Sequence, residues 1–227
     1  MQGPGEIICP ILLYHRIAPP SYNDPYYVTP EEFRAQMQAL KDWGYTTITA
    51  TQLVNAINVG SMLPQRPVVI SFDDGDNSVF SQAFPIMREF GFVGVNYLVS
   101  KYIGAEGYMS IEQINELGVA GWEIGSHSIS HADLTTLEHP EWEIIQSQER
   151  LAKMFDWPIN TFAYPFGKET YDIRIMVSRN YIAGMGLGVT VKQRPGILYY
   201  LSRRPVPLHT TIETFGTYLP WNTPPGQ

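Results

Sequence analysis

PVVISFDDGDNS, residues 67–78, is an apolar run that ends abruptly on two adjacent carboxylates, Asp73 and Asp74, followed by Gly75. The ten residues after Asp74 contain no Lys or Arg to neutralise them. Buried acids without a partner are costly, so the stretch implies either a solvated turn or a bound cation. The apolar part reads as a strand of a parallel sheet, and the acids stand where such a strand ends.

The same organisation extends outward in both directions. Strands are expected near 7–14, 45–49, 67–72, 93–99, 122–126, 161–164, 182–187 and 198–204, and helices near 30–43, 51–59, 79–90, 110–119, 140–155 and 169–179. Thr29-Pro30-Glu31-Glu32 combines an N-cap, a first-turn proline and a capping-box glutamate, and Ser110 with Gln113 forms a second box. Strands alternating with helices imply a parallel sheet, and seven or eight such units imply a barrel more readily than an open sheet. The expectation is an α/β fold of one domain over residues 1–227. The tail LPWNTPPGQ is expected to be irregular.

Composition limits the function. The 227 residues, 44% hydrophobic and 16% charged, suffice for one large core. A net charge of -7 argues against a nucleic-acid partner. The single cysteine, Cys9, excludes an internal disulfide and reads as a small buried residue. No run approaches the ~18 apolar residues of a membrane span. The apolar run Ile7–Tyr14 lacks the basic flank and cleavage site of a signal peptide, so it reads as a strand.

In a parallel barrel the residues just after the strands gather round one mouth. There stand His15, Asp73 and Asp74, His127 of GSHSISH, and Pro165 and Phe166 of FAYPFG. HSISH spaces His127 and His131 four apart, which a turn of helix or a helical loop points to one side. Two imidazoles and one carboxylate make a set that suits zinc, cobalt, nickel or iron and leaves positions open for water and substrate. The cation would neutralise one acid and leave the other as a base beside activated water. A two-metal phosphoesterase would need more ligands than are found.

These residues resemble the polysaccharide deacetylases of the NodB-homology type, carbohydrate esterase family 4. SFDDG (71–75) matches the family's first motif, HSISH (127–131) its second, and FAYPFG (162–167) the third in the form found in biofilm-polysaccharide deacetylases. The resemblance spans most of the chain. It implies a distorted (β/α)7-type barrel that removes N-acetyl groups from a glycan with one divalent transition metal, zinc first. It assigns Asp73 as general base, Asp74, His127 and His131 as metal ligands, and the Phe166 backbone N–H to the oxyanion, with Pro165, Tyr164 and Arg203 on the substrate. LLYHRI (12–17) looks like the start of poly-N-acetylglucosamine deacetylases and puts His15 in the acid role.

Two departures from the family pattern matter. The Arg that many members carry in the third motif is missing from Thr161-Phe162-Ala163, and Arg203 or Arg204 would have to replace it. The leaving-group histidine motif is reduced to Leu208-His209, a rival to His15. Tyr22, Tyr26 and Tyr27 are expected to line a sugar groove. The preferred substrate is poly-β-1,6-N-acetyl-D-glucosamine, with chitin oligosaccharides or peptidoglycan as alternatives. The expected protein is a monomer, secreted or at the cell surface, its export signal absent from this sequence. A rival of another class is a catalytically weak glycan-binding or membrane-surface protein, in which Gly196–Leu201 and the nearby Lys192, Arg194, Arg203 and Arg204 make a peripheral membrane contact.

Overall fold

The structure, a computed structural model, describes residues 2–19 and 26–226. It is a distorted (β/α)7-type barrel. The barrel strands are β1 (Ile11–Tyr14), β2 (Thr46–Thr47), β3 (Pro67–Phe72), β4 (Val95–Leu98), β5 (Glu123–Ser126), β6 (Thr161–Ala163), β7 (Ala183–Met185) and β8 (Arg204–Pro205). Their order round the sheet is β7-β6-β5-β4-β3-β1-β8, all parallel, with the short β2 paired to the first residues of β3. The seam is closed by Leu201, whose N–H donates to the Gly184 carbonyl and whose own carbonyl accepts from Gly186 N–H, while Gly188 N–H donates to the Arg203 carbonyl.

The helices are α1 (Pro30–Asp42), α2 (Ala50–Val59), α3 (Phe84–Glu89), α4 (Ile111–Val119), α5 (Pro140–Phe155), α6 (Tyr171–Asn180) and α7 (Ile212–Gly216). Both expected capping boxes form: Thr29 with Glu32 opens α1, and Ser110 with Gln113 opens α4. Side-chain alternation sorts β3 into two cores. Leu12, Ile70, Phe72 and Phe162 face outward into the cluster that holds Phe33, Met37 and Leu40 of α1, whereas Ile11, Val69, Val95, Tyr97, Ala183 and Leu201 fill the barrel. Ser71 also points inward and donates to the Leu12 carbonyl at 2.8 Å. The next residue of that parity is Asp73, so the period that builds the core also aims this acid into the mouth. Cys9 is fully buried, and burial pushes its thiol far up, out of the reactive range.

Several element boundaries differ from expectation, each for a local reason. The first strand is interrupted at Pro10, which has no N–H to donate; Ile7–Ile8 pairs instead with Lys192–Gln193. The helix expected over 79–90 begins as a π-turn at Val79–Ala83, where Pro85 removes a donor and the Phe84 N–H reaches back to Val79. The strand expected over 198–204 is instead a 3-10 turn over Pro195–Tyr200, with strand pairing resuming only at Leu201 and Arg204–Pro205. Within it Ile197, Leu198, Tyr199 and Tyr200 pack against the two cores and Leu201 is fully buried. Arg203 turns inward onto Asp73. No described helix is long and apolar enough to cross a membrane. As expected, the tail LPWNTPPGQ carries no helix or strand over its described residues, and it is tied down where Trp221 N–H donates to the Tyr45 hydroxyl and Arg66 to the Thr223 carbonyl.

Candidate active site

At the C-terminal rim of the barrel lies a cavity of about 300 Å³, lined among others by His15, Tyr26, Asp73, Asp74, His127, His131, Tyr164, Phe166 and Arg203. His15, Asp73, Asp74, His127, His131, Tyr164, Phe166 and Arg203 all line it as expected, whereas Pro165 is buried in the turn beside it.

Three ligand-capable atoms of Asp74, His127 and His131 lie within 4.8 Å of one another. His127 Nε2 stands 3.7 Å from Asp74 Oδ1, and His131 Nε2 stands 3.5 Å from the same oxygen. The other nitrogen of His127, Nδ1, is 2.8 Å from the Ala163 carbonyl. A carbonyl only accepts, so Nδ1 carries the proton and the Nε2 lone pair faces Asp74. Burial lowers His127 to about 4, which keeps the imidazole neutral and free to ligate. Asp74 Oδ1 is buried without a hydrogen-bond partner among the described residues. Burial raises the Asp74 carboxyl, Asp73 adds to the rise, and His15 opposes it. An orphaned carboxylate oxygen facing an imidazole lone pair is unfavourable by itself and is what a cation relieves. The residues therefore fit a divalent metal.

Asp73 is only 3% exposed, and its two oxygens accept from Arg203 Nη1 at 2.6 Å and Nη2 at 2.9 Å. Burial pushes this carboxyl up, but Arg203 outweighs it, with help from His127, and holds the group at about 2. Arg203, 1% exposed, uses Nε on the Gly186 carbonyl. Its guanidinium is thus committed to Asp73 and the backbone, a positioning contact in place of the expected substrate contact. Arg204, the alternative, lies over the Tyr218 ring at 4.2 Å. Tyr164 lines the cavity, but its hydroxyl donates to the Tyr199 carbonyl and is committed there.

His15 sits in the cavity with its ring 5.0 Å from that of Tyr26. Burial lowers its pKa against the pull of Asp73 and Asp74. His209 is 76% exposed at its side chain and pairs with Glu32 of α1, away from the cavity lining. Of the expected groove tyrosines, Tyr26 lines the cavity, Tyr27 is buried in a short strand pair, and Tyr22 lies outside the described residues.

The rim concentrates unusual backbone. Asp74 (φ 75°), Ser128 (φ 69°), His131 (φ 60°) and Phe166 (φ 60°) are all left-handed without being glycine. Such conformations cost of order 1 kcal/mol or more each and persist where the surroundings enforce them. HSISH is therefore not the helical turn expected but an irregular loop. Its brace is a residue the sequence reading missed: Glu143, at the start of α5, accepts from Ile129 N–H, Ser130 N–H and the Ser130 hydroxyl. At Phe166, Gly167 and Lys168 N–H close the turn on Tyr164 and Pro165, leaving the Phe166 N–H outside those bonds. The Phe166 ring packs edge-on against His131 with centroids 4.5 Å apart.

Barrel and site together define an enzyme of the β/α class whose mouth pairs an Arg-held carboxylate with an Asp-His-His cation cradle. Residues 61–183, over half of the chain, match the family model for polysaccharide deacetylase. The chain is 28% identical over 216 residues to YxkH of Bacillus subtilis (strain 168), covering 92% of this chain and 75% of that one. It is 26% identical over 188 residues to the poly-β-1,6-N-acetyl-D-glucosamine N-deacetylase of Staphylococcus epidermidis (strain RP62A), covering 74% of this chain and 63% of that protein. It thus spans less than two thirds of the staphylococcal enzyme. In fold it is similar to the Streptococcus pyogenes deacetylase PplD, with TM-score 0.87 and 22% identity over 94% of this chain and 98% of that one. The chain belongs to the polysaccharide deacetylase family, hydrolases that remove acetyl groups from glycans.

Proposed function

We propose that this enzyme de-N-acetylates a β-1,6-linked N-acetylglucosamine polymer, releasing acetate and leaving a free amine on each sugar it processes. The observation that carries the reading is the juxtaposition of two unlike acids: Asp73, ionised and clamped by Arg203, beside Asp74, orphaned and grouped with two imidazoles. In this reading Asp74, His127 and His131 hold one divalent metal, zinc first, with cobalt, nickel or iron as substitutes. Such a cation supplies Lewis acidity, polarising the acetamide carbonyl and lowering the pKa of water towards about 7.

The protein's own groups do the rest. Asp73 accepts the proton of the attacking water, and Arg203 keeps its oxygens aimed while it does so. The Phe166 N–H donates to the oxygen that gains charge as the carbonyl becomes tetrahedral. His15 gives a proton to the departing nitrogen, without which an amine anion would have to leave. Tyr26, 61% exposed at the cavity edge, offers a face on which a sugar ring can stack.

The YH pair at 14–15, the FAYPFG turn and the activity for which the staphylococcal relative is named support this glycan. On this reading the enzyme acts in the secreted or cell-surface space, since a long polymeric glycan does not cross a membrane unaided. The test is acetate release from β-1,6-N-acetylglucosamine, chitin and peptidoglycan oligomers, before and after chelation and after readdition of zinc or cobalt. Release that is fastest on the β-1,6 oligomers, lost on chelation and restored by metal is expected. Faster turnover of chitin or peptidoglycan would overturn the substrate, and full activity after exhaustive chelation would overturn the metal.

A further inference from the structure

We propose that Glu143 is the positioning residue of the cation site, holding the HSISH loop in the one conformation that brings His131 to Asp74 and His127. The proposal rests on the reading of those three residues as the metal ligands. His127 needs no such help, because it follows directly from β5, is almost fully buried, and its Nδ1 is anchored on the Ala163 carbonyl. His131 lies four residues further along an irregular loop, and its backbone and that of Ser128 are both left-handed. Neither is a glycine, so the loop must be held from outside.

Glu143 supplies that hold from a separate helix. Its Oε2 accepts from Ile129 N–H at 2.8 Å and Ser130 N–H at 2.9 Å, and its Oε1 accepts from the Ser130 hydroxyl at 2.7 Å. Three short bonds to one carboxylate fix the peptide planes on either side of Ile129 and the residue immediately before His131. The Ser128 hydroxyl, accepting from His131 N–H at 2.9 Å, completes the turn. Lys101 N–H, donating to the Ile129 carbonyl at 2.9 Å, ties the far side to the loop after β4. Glu143 itself is fixed in the first turn of a 16-residue helix whose Ile144, Ser147, Leu151 and Phe155 are buried. A rigid α5 thus passes its placement to a metal ligand through one side chain, without Glu143 touching metal or substrate.

The chemistry separates hydrogen bonding from charge. In Glu143→Gln the amide oxygen can take the place of Oε2 and keep both backbone bonds, with the NH2 donating to the Ser130 hydroxyl. In Glu143→Ala all three bonds vanish. The experiment loads metal-free protein with Co2+ and reads the dissociation constant by chelator competition and the visible d–d spectrum, alongside the Tm of the metal-free protein. Glu143→Ala is expected to weaken Co2+ by about tenfold to a hundredfold, the range found when outer-sphere partners of ligands are lost, and to alter the spectrum. Glu143→Gln is expected to recover most of the affinity, and Ser130→Ala to lose less than Glu143→Ala. Should the alanine variant fail to fold, Gln and Ser130→Ala carry the comparison. Wild-type affinity and spectrum in Glu143→Ala, or a Gln variant as weak as a folded Ala variant, would overturn the assignment. Failure of the unsubstituted protein to bind Co2+ at all would overturn the metal reading itself and this proposal with it.

Discussion

Asp73 and Glu123 stand at opposite ends of the same barrel, and their surroundings differ in kind. Asp73 follows β3 at the C-terminal rim and faces a buried guanidinium, which holds it ionised at about 2 against the pull of burial. Glu123 opens β5 at the N-terminal end, beside a second cavity of about 280 Å³ lined by Trp122, Trp157 and Asn160. Its partners are neutral groups: Thr51 N–H at 2.8 Å, the Thr161 hydroxyl at 2.7 Å, and the Thr49 and Thr51 hydroxyls. Burial raises its pKa, and those hydrogen bonds offset the rise only in part. A fixed cation keeps an acid charged, as the proposed base role requires, whereas neutral donors satisfy it for structure. In a barrel the two requirements fall at opposite ends.

The comparison breaks first at Asp73. Asp73→Asn keeps the shape and one oxygen to accept from Arg203, loses the other contact because an amide NH2 faces a guanidinium donor, and cannot take a proton, so kcat for acetate release should fall by about 10²–10⁴. Cation affinity, measured by Co2+ titration, should stay within a few-fold. A variant with wild-type turnover would remove Asp73 from the base role, and a variant that loses the cation would make it a ligand.

Next comes the clamp. Arg203→Met leaves Asp73 charged, buried and without its guanidinium, and should destabilise the fold by about 3–5 kcal/mol as well as slowing turnover. Urea unfolding checks the first and acetate release the second. Adding Asp73→Asn to Arg203→Met should return part of the lost stability, because the stranded charge is gone. Simple additivity of the two losses would mean that the pair is not coupled.

How much of this was legible in the sequence depends on distance from a strand end. Asp73, Asp74, His127 and Phe166 directly follow short apolar runs, so strand placement alone carried them to one mouth, and His15 likewise follows β1. Arg203 could not be separated from Arg204, because the expected strand over 198–204 is a 3-10 turn and gave no parity to count from. Only the structure shows Leu201 and Arg203 pointing inward while Arg204 lies on Tyr218. Glu143 was invisible for a different reason. It stands in an acidic helix start of ordinary appearance, and its three partners reach it only by tertiary packing of α5 on the loop. The left-handed backbone at Asp74, Ser128, His131 and Phe166 left no trace either, since no glycine marks it.

At the other end, Glu123→Ala should leave kcat and KM for acetate release unchanged while lowering stability by about 1–3 kcal/mol, the cost of stranding the Thr51 N–H and the Thr161 hydroxyl. Loss of activity in a stably folded variant would erase the division of labour between the two rims.

The smallest effect is a pH dependence, and its sign follows from the direction of the Glu123 shift. The folded-state pKa lies above the unfolded value near 4.5, so between the two the folded protein holds a proton that the unfolded chain has released. Stability from this group is therefore complete below the unfolded pKa and is lost as pH rises through the folded one. Glu123→Gln cannot titrate and keeps an oxygen to accept from Thr51 N–H, while its amide can donate to the Thr161 hydroxyl. Unfolding free energies of the two proteins, measured by urea titration from acid to neutral pH, should therefore diverge as pH rises, with the native protein losing ground to the Gln variant. Parallel curves would mean that the Glu123 carboxyl titrates alike in both states, and a native curve that gains on the variant would mean that its Thr51 and Thr161 bonds outweigh burial after all.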